Sequence, residues 1–297
     1  DQKIKKIYEF ITSKIRYSSV PFRQNGWVPQ KARDVLITKI GDCKDVATLG
    51  IAMLNEAGIK ADYVLVNTDI KALQIQLPSP VFDHCIAAIH TKSGKKYLDF
   101  TAHHFAVTSI PSNDLDVMCL EINTDNSGAL FSLKRENFDK TKSDVYSKVR
   151  IDDNNMLSLE QRSSFTGTMA ASYRSAFVDE GYDDVKKMVG EWLGSSYPGV
   201  EIDTVWTTDT ENRDIPFEHN VHFSVPNFIN ESGSYRMLRI PWVYSLDPDE
   251  SVSYKERKYP LEYYYTSDIT HEKVEISLPP SIEPYEMSPI TTFSCPI

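Results

Sequence analysis

Apolar residues recur at spacings of three and four at the start of the chain: Ile4, Ile7, Tyr8, Ile11 and Ile15. Lys3, Lys5, Lys6, Glu9 and Lys14 fill the opposite face, and the pattern predicts an amphipathic helix over Ile4 to Ile15. Phe22 to Arg33, with Gly26, Trp27, Pro29 and Gln30, reads as a loop, and a short helix is expected from Lys31 to Thr38. Lys44 to Ala57 predicts a second long helix, apolar nearly all round and therefore central, which Gly58 terminates. The pattern then changes to short apolar runs. Tyr63 to Val66 reads as a strand, and Cys85 to His90 with Lys96 to Phe100 reads as a hairpin turning near Ser93-Gly94.

Asn, Asp, Ser and Gly dominate from Asn123 to Gly128, which is taken as a boundary. Beyond it strand-like runs prevail: Tyr146 to Ile151, Met156 to Thr168, Ile202 to Thr207, His219 to Val225, Tyr235 to Ile240, Leu261 to Tyr265 and His271 to Leu278. Two helical segments interrupt them, Ala170 to Val178 and Tyr182 to Leu193. In the second, Val185, Met188, Val189 and Trp192 share a face. The fold class expected is α+β: residues 1–125 form helices packed on an antiparallel sheet, and residues 126–297 form a mostly β, sandwich-like domain with a helical insertion near 170–193. The proline-bearing tail from Pro279 onward reads as a linker to a further domain.

Composition narrows the function classes. The 297 residues are 41% hydrophobic and 25% charged, which excludes a disordered tail or a coiled coil. The net charge of -10 and the lack of a dense Lys/Arg cluster argue against a nucleic-acid surface. No apolar run is long enough for a membrane-spanning helix. The first residue is Asp1 and no leader pattern begins the sequence, which leaves the compartment open. Cys43, Cys85, Cys119 and Cys295 form no CxxC pair, so no structural zinc site is expected. No phosphate-binding glycine string occurs, and no cofactor is expected. His90, His103 and His104 are read as strand and loop histidines rather than metal ligands.

Cys43 is the most informative residue. It stands between Gly41-Asp42 and the central helix, where unpaired amides and the helix dipole favour a thiolate and could cradle an oxyanion. A buried cysteine at a helix start is the plainer reading. His84 opens the first hairpin strand, and Asp99 ends the second, within cross-strand reach. Asp99 could orient the imidazole toward Cys43, the logic of nucleophile, base and orienting acid. A surface His-Asp hydrogen bond is the alternative. Cys85 should face the opposite side of the sheet from His84, into the core.

Three blocks carry a family resemblance. Gly41-Asp42-Cys43-Lys44-Asp45, continuing through Ala47-Thr48-Leu49 and Met53-Leu54 to Gly58-Ile59, resembles the nucleophile helix of the bacterial transglutaminase-like superfamily. Phe82 to Ala87 resembles its histidine strand, and Leu98-Asp99-Phe100-Thr101 its aspartate strand, where Asp-Pro-Thr is commoner. The resemblance spans about residues 1 to 120. It implies a papain-like core with Cys43 as nucleophile, His84 as general base and acid, and Asp99 as orienting carboxylate. Trp27 and Gln30 are the candidates for an oxyanion or cleft role. Trp27 could equally be core packing, and Gln30 could cap the helix at Lys31. The expected reaction is thiol-dependent amide acyl transfer, read first as peptide or isopeptide hydrolysis. An amine-accepting transglutaminase is one alternative. A protein- or glycan-binding module or scaffold with a silent core is another. The resemblance further implies a protein or peptide substrate, a glycan or cell-envelope partner, a preceding N-terminal β domain, and a periplasmic or cell-surface location.

Overall fold

The computed structural model describes residues 2–19, 26–69, 81–123, 127–138, 140–243, 256 and 269–283. The expected strand at Leu261 to Tyr265, the tail beyond 283 and Cys295 lie outside the described residues.

Three helices open the chain: α1 (Gln2–Lys14), α2 (Ala32–Thr38) and α3 (Cys43–Glu56). Two short strands, β1 (Arg16–Tyr17) and β2 (Ile40–Gly41), pair in parallel between them. Five strands follow: β3 (Ala61–Asn67), β4 (His84–Thr91), β5 (Gly94–Leu98), β6 (Met118–Ile122) and β7 (Gly128–Ser132). They form one antiparallel sheet in the order β5-β4-β3-β6-β7. Ile4, Tyr8, Ile11, Val46, Leu49 and Leu54 of the helices pack on Ala87, Ile89 and Leu98 of the sheet. The opposite face is also buried, with Val64, Val66, Ile86 and Ala88 under Ile110, Leu115 and Val117. Burial on both faces is why β3 and β4 read as continuous apolar runs rather than alternating ones. The turn-rich stretch near Asn123 to Gly128 joins β6 to β7, so the first sheet runs past residue 125.

Gly50 lies inside α3, where glycine ordinarily weakens a helix. Its reason is packing: a Cβ there would overlap the Phe100 ring. Phe100 is 1% exposed and directly follows Asp99. The Gly50 notch therefore docks the helix bearing Cys43 against the segment bearing Asp99.

The larger second region is β-rich and sandwich-like in its layering. Its sheet is built from β8 (Lys142–Ile151), β9 (Leu157–Phe165), β10 (Glu201–Thr207), β11 (Phe217–Val225) and β14 (Ile269–Ser277). They lie in the order β10-β11-β9-β8-β14, and all pairs are antiparallel except β14 with β8. Helices α4 (Gly167–Phe177) and α5 (Tyr182–Gly194) cover one face. A two-stranded ribbon, β12 (Asn230–Ser232) with β13 (Tyr235–Met237), completes it, so the strand expected to reach Ile240 stops at Met237. Strict alternation along β8, from exposed Lys142 to buried Ile151, marks a sheet with one wet face. The loop before β11 meets α1: Arg213 donates to Thr12 Oγ1 at 2.6 Å and to Ser13 Oγ at 3.0 Å.

Candidate active site

Cys43 is the first residue of α3 and is half-buried. The helix starts there because Asp42 and Asp45 form a capping box. The Asp45 amide donates to Asp42 Oδ1 at 3.3 Å, and the Asp42 amide donates to Asp45 Oδ2 at 3.1 Å. Two of the orphan donors of this helix end are thereby satisfied, and the dipole still points its positive end at Cys43. Lys44, a candidate positive charge beside the thiol, is instead ion-paired with Asp42.

His84 is the first residue of β4, and its Nε2 lies 3.3 Å from Asp99 Oδ2. Cys43 stands near enough to the imidazole to raise its proton affinity. Asp99 follows the last residue of β5 and is 3% exposed. Its orientation is fixed by Thr101, whose amide donates to Oδ1 at 2.8 Å and whose hydroxyl donates to the same oxygen at 2.7 Å. Register explains the meeting: Ala87 pairs with Leu98, so the chain after Leu98 runs back alongside the start of β4. Cys43, His84 and Asp99 thus come together at the junction of α3 with the ends of two hairpin strands.

Burial pushes the His84 pKa down, and its neighbours more than reverse this. Asp99 and Cys43, with the charge of Asp114, raise it to about 11. Cys85 points to the other face, is 3% exposed, and burial pushes its thiol pKa up. It is a core residue, as its alternation with His84 requires.

Sequence reasoning missed two residues here. Asp114 ends a 3-10 turn, Ser112–Asp114, and is fully buried with Oδ1 3.8 Å from His84 Nε2. Nothing local in the sequence marks it, because it arrives from a loop fifteen residues after Asp99. Tyr17 on β1 pairs with Gly41, and its phenol pKa is raised by burial first and then by the nearby Cys43. An aromatic residue just after α1 was the only available hint.

Trp27 and Gln30 do not behave as their plainer readings required. Trp27 is 72% exposed, so it is not core packing. Gln30 does not cap α2, whose N-cap Lys31 has no side-chain cap. It braces the loop against α3 instead: its amide donates to Asp45 Oδ1 at 2.7 Å and its side chain to Oδ2 at 2.8 Å.

His103 and His90 of the first region lie apart from one another in their contacts. His103 Nδ1 lies 2.6 Å from the Thr12 carbonyl oxygen in α1. His90 meets Asp62 at 2.7 Å and Glu121 at 4.0 Å. Among the described residues, Asp62, His90 and Glu121 form one group whose donors could hold a cation, and His84, Asp99 and Asp114 form the other. In the first, Lys95 already donates to both Glu121 oxygens, at 2.8 and 2.7 Å, and Lys60 stands 3.6 Å from Asp62. Protein cations therefore balance those carboxylates.

An open groove of about 480 Å³ lies elsewhere, on the outer face of the second sheet, with Tyr146, Arg162, Asn220 and Lys273 in its lining. Among the described residues its lining includes no cysteine.

Residues 1–94 match the model of the Transglutaminase-like superfamily, which includes Cys43 and His84 and stops short of Asp99. The N-terminal segment is in that sense transglutaminase-like. No curated protein matches the chain. Two solved structures do. One is a candidate cysteine protease from Cytophaga hutchinsonii, 18% identical, covering 43% of this chain and 39% of its own, with a TM-score of 0.29. The other is a candidate protease from Parabacteroides distasonis ATCC 8503, 12% identical, covering 76% of this chain and 46% of its own, with a TM-score of 0.40. The chain therefore spans less than half the length of either, and both superpose too loosely for residue-by-residue correspondence.

Proposed function

We propose that the chain is a thiol-dependent acyl-transfer enzyme that cleaves peptide or isopeptide amides through Cys43, His84 and Asp99. The observation that carries this reading is the grouping at one strand end: His84 Nε2 lies 3.3 Å from Asp99 Oδ2, and Cys43 at the start of α3 stands near enough to raise the proton affinity of the same imidazole. His84 takes the thiol proton, and the sulfur attacks the amide carbonyl carbon. The oxyanion that forms faces the free amides at the start of α3. His84 then gives its proton to the leaving amine, which departs as the carbon–nitrogen bond breaks and a thioester remains. Water, activated by the same imidazole, hydrolyses the thioester and restores the thiol. An amine in place of water would give transamidation.

The test is turnover of a quenched fluorescent peptide library, with and without added primary amine. Cys43→Ala should abolish all turnover while the circular dichroism spectrum stays unchanged. Retained cleavage in that variant would remove Cys43 from the mechanism. Incorporation of the amine in preference to hydrolysis would assign the transferase alternative.

A further inference from the structure

Asp114 is the one acid in this cluster that the reaction above does not use. It is fully buried, and among the described residues neither carboxyl oxygen receives a hydrogen bond from an N–H or hydroxyl donor. Its carboxyl nonetheless lies beside that of Asp99, with an oxygen of each within 4.8 Å of the other. Two carboxylates cannot hydrogen-bond each other, since both only accept. They can share a hydrogen bond only if one of the pair carries a proton. Asp99 already accepts from the Thr101 amide and hydroxyl and faces His84, so a negative charge is better supported there. Asp114 has no such support. Buried like charges this close do not both ionise.

We infer that Asp114 is a neutral carboxylic acid in the resting protein, that it donates its O–H to Asp99, and that it is a positioning residue acting on His84 through that carboxylate. The role rests on the proposed function above, whereas the protonation state does not. The groups facing Asp114 are Asp99, His84, Asp83 and, on β6, the buried Cys119 thiol. His84 is the sole cation among them. Burial and the nearness of Asp99 push the Asp114 pKa up to about 8, against the pull of His84. Below that value the cluster holds one thiolate or thiol, one imidazole and one carboxylate. Above it a second carboxylate appears 3.8 Å from His84 Nε2. That charge holds the imidazolium proton more tightly and makes His84 a poorer acid toward a leaving amine.

Infrared difference spectroscopy of the whole chain, wild type minus Asp114→Asn, reads the proton directly. The expected result is a protonated-carboxyl C=O band near neutral pH that fades as pH rises through about 8 and is absent from Asp114→Asn. The second readout is the ¹⁵N-NMR titration of His84. Asn cannot ionise, so His84 should lose its proton at a lower pH in Asp114→Asn than in wild type. A merely structural role would not move it. Should Asp114→Asn fail to fold, Asp99→Asn serves, and there the band should fade at a lower pH because the neighbouring charge is gone. Absence of the band near neutral pH, or its persistence in Asp114→Asn, would overturn the assignment. Because the band is read without substrate, it survives a failure to find turnover.

Discussion

Each of the two sheets carries a histidine shielded from water, half-buried His84 in the first and buried His219 in the second, and the two rings are driven in opposite directions. His84 sits at the end of the first sheet against Asp99, Asp114 and Cys43, and its pKa rises to about 11. His219 sits on β11 beneath Tyr173 and Phe177, and burial alone lowers its pKa to about 4. Desolvation is the largest single influence on both rings. What differs is the company. The first sheet gathers anions where a helix start meets two strand ends. The second packs aromatic rings over its histidine and, among the described residues, leaves Nε2 without a hydrogen-bond partner. Neighbouring anions thus hold a proton on one ring, and apolar packing keeps it off the other.

The sharpest break of that comparison is to remove the carboxylate from the first histidine. Asp99→Asn removes the strongest anionic influence on His84, so its pKa should fall below about 11, although Asp114 and Cys43 still oppose burial. Turnover should drop by on the order of 10³–10⁴-fold with the fold intact, as expected for loss of an orienting acid. Steady-state kinetics and a His84 titration check both, and an unchanged rate would assign His84 another partner.

The next effect lies in the second region and concerns stability. His219 has a folded pKa below its unfolded value of 6.5, so the unfolded chain binds the proton first. Stability contributed by the neutral ring is complete above about 6.5 and is lost as pH falls toward about 4. The loss amounts to roughly 3 kcal/mol, because each tenfold change in proton affinity is worth about 1.36 kcal/mol. Urea denaturation across that range should show it in wild type and not in His219→Phe. His84 has the opposite sign. Its contribution to folding is complete below about 6.5 and is lost as pH rises toward about 11.

The smallest effect sharpens the link between helix and site. Gly50→Ala should cost about 1–3 kcal/mol, because the added methyl group overlaps Phe100. It should also slow turnover by shifting Cys43 relative to Asp99. A thermal melt with matched kinetics checks whether the two losses travel together.

Much of this was legible along the chain. The helix start at Cys43 follows from Asp42 and Asp45 at capping spacing, and the hairpin register follows from the short turn at Lys92-Ser93. These local signals place Cys43 at a helix start and His84 near Asp99, while the docking of α3 on the sheet through Gly50 and Phe100 brings the helix start to the pair. The layering of the second region was also readable, because β8 alternates cleanly. Asp114 was not legible. Its importance comes from burial and from a loop that returns to the sheet end, and neither leaves a local pattern. β6 and β7 were hidden for the same reason: the partner of β6 lies far off in sequence, and the turn-rich stretch between the two imitates a boundary. The parallel pairing of β14 with β8 joins residues more than a hundred positions apart. The core-packing reading of Trp27 fails because the ring is 72% exposed, and no pattern around it in the sequence signals that exposure.

The central claim is that Cys43 and His84 act as a pair. The most direct measurement is the pH dependence of iodoacetamide labelling at each cysteine, read by peptide mass spectrometry on wild type and on His84→Ala. The account predicts that Cys43 labels fastest and that His84→Ala changes both the rate and the pH profile of that labelling. Labelling of Cys43 that matches the buried Cys85 and Cys119, or that ignores the loss of His84, would contradict it.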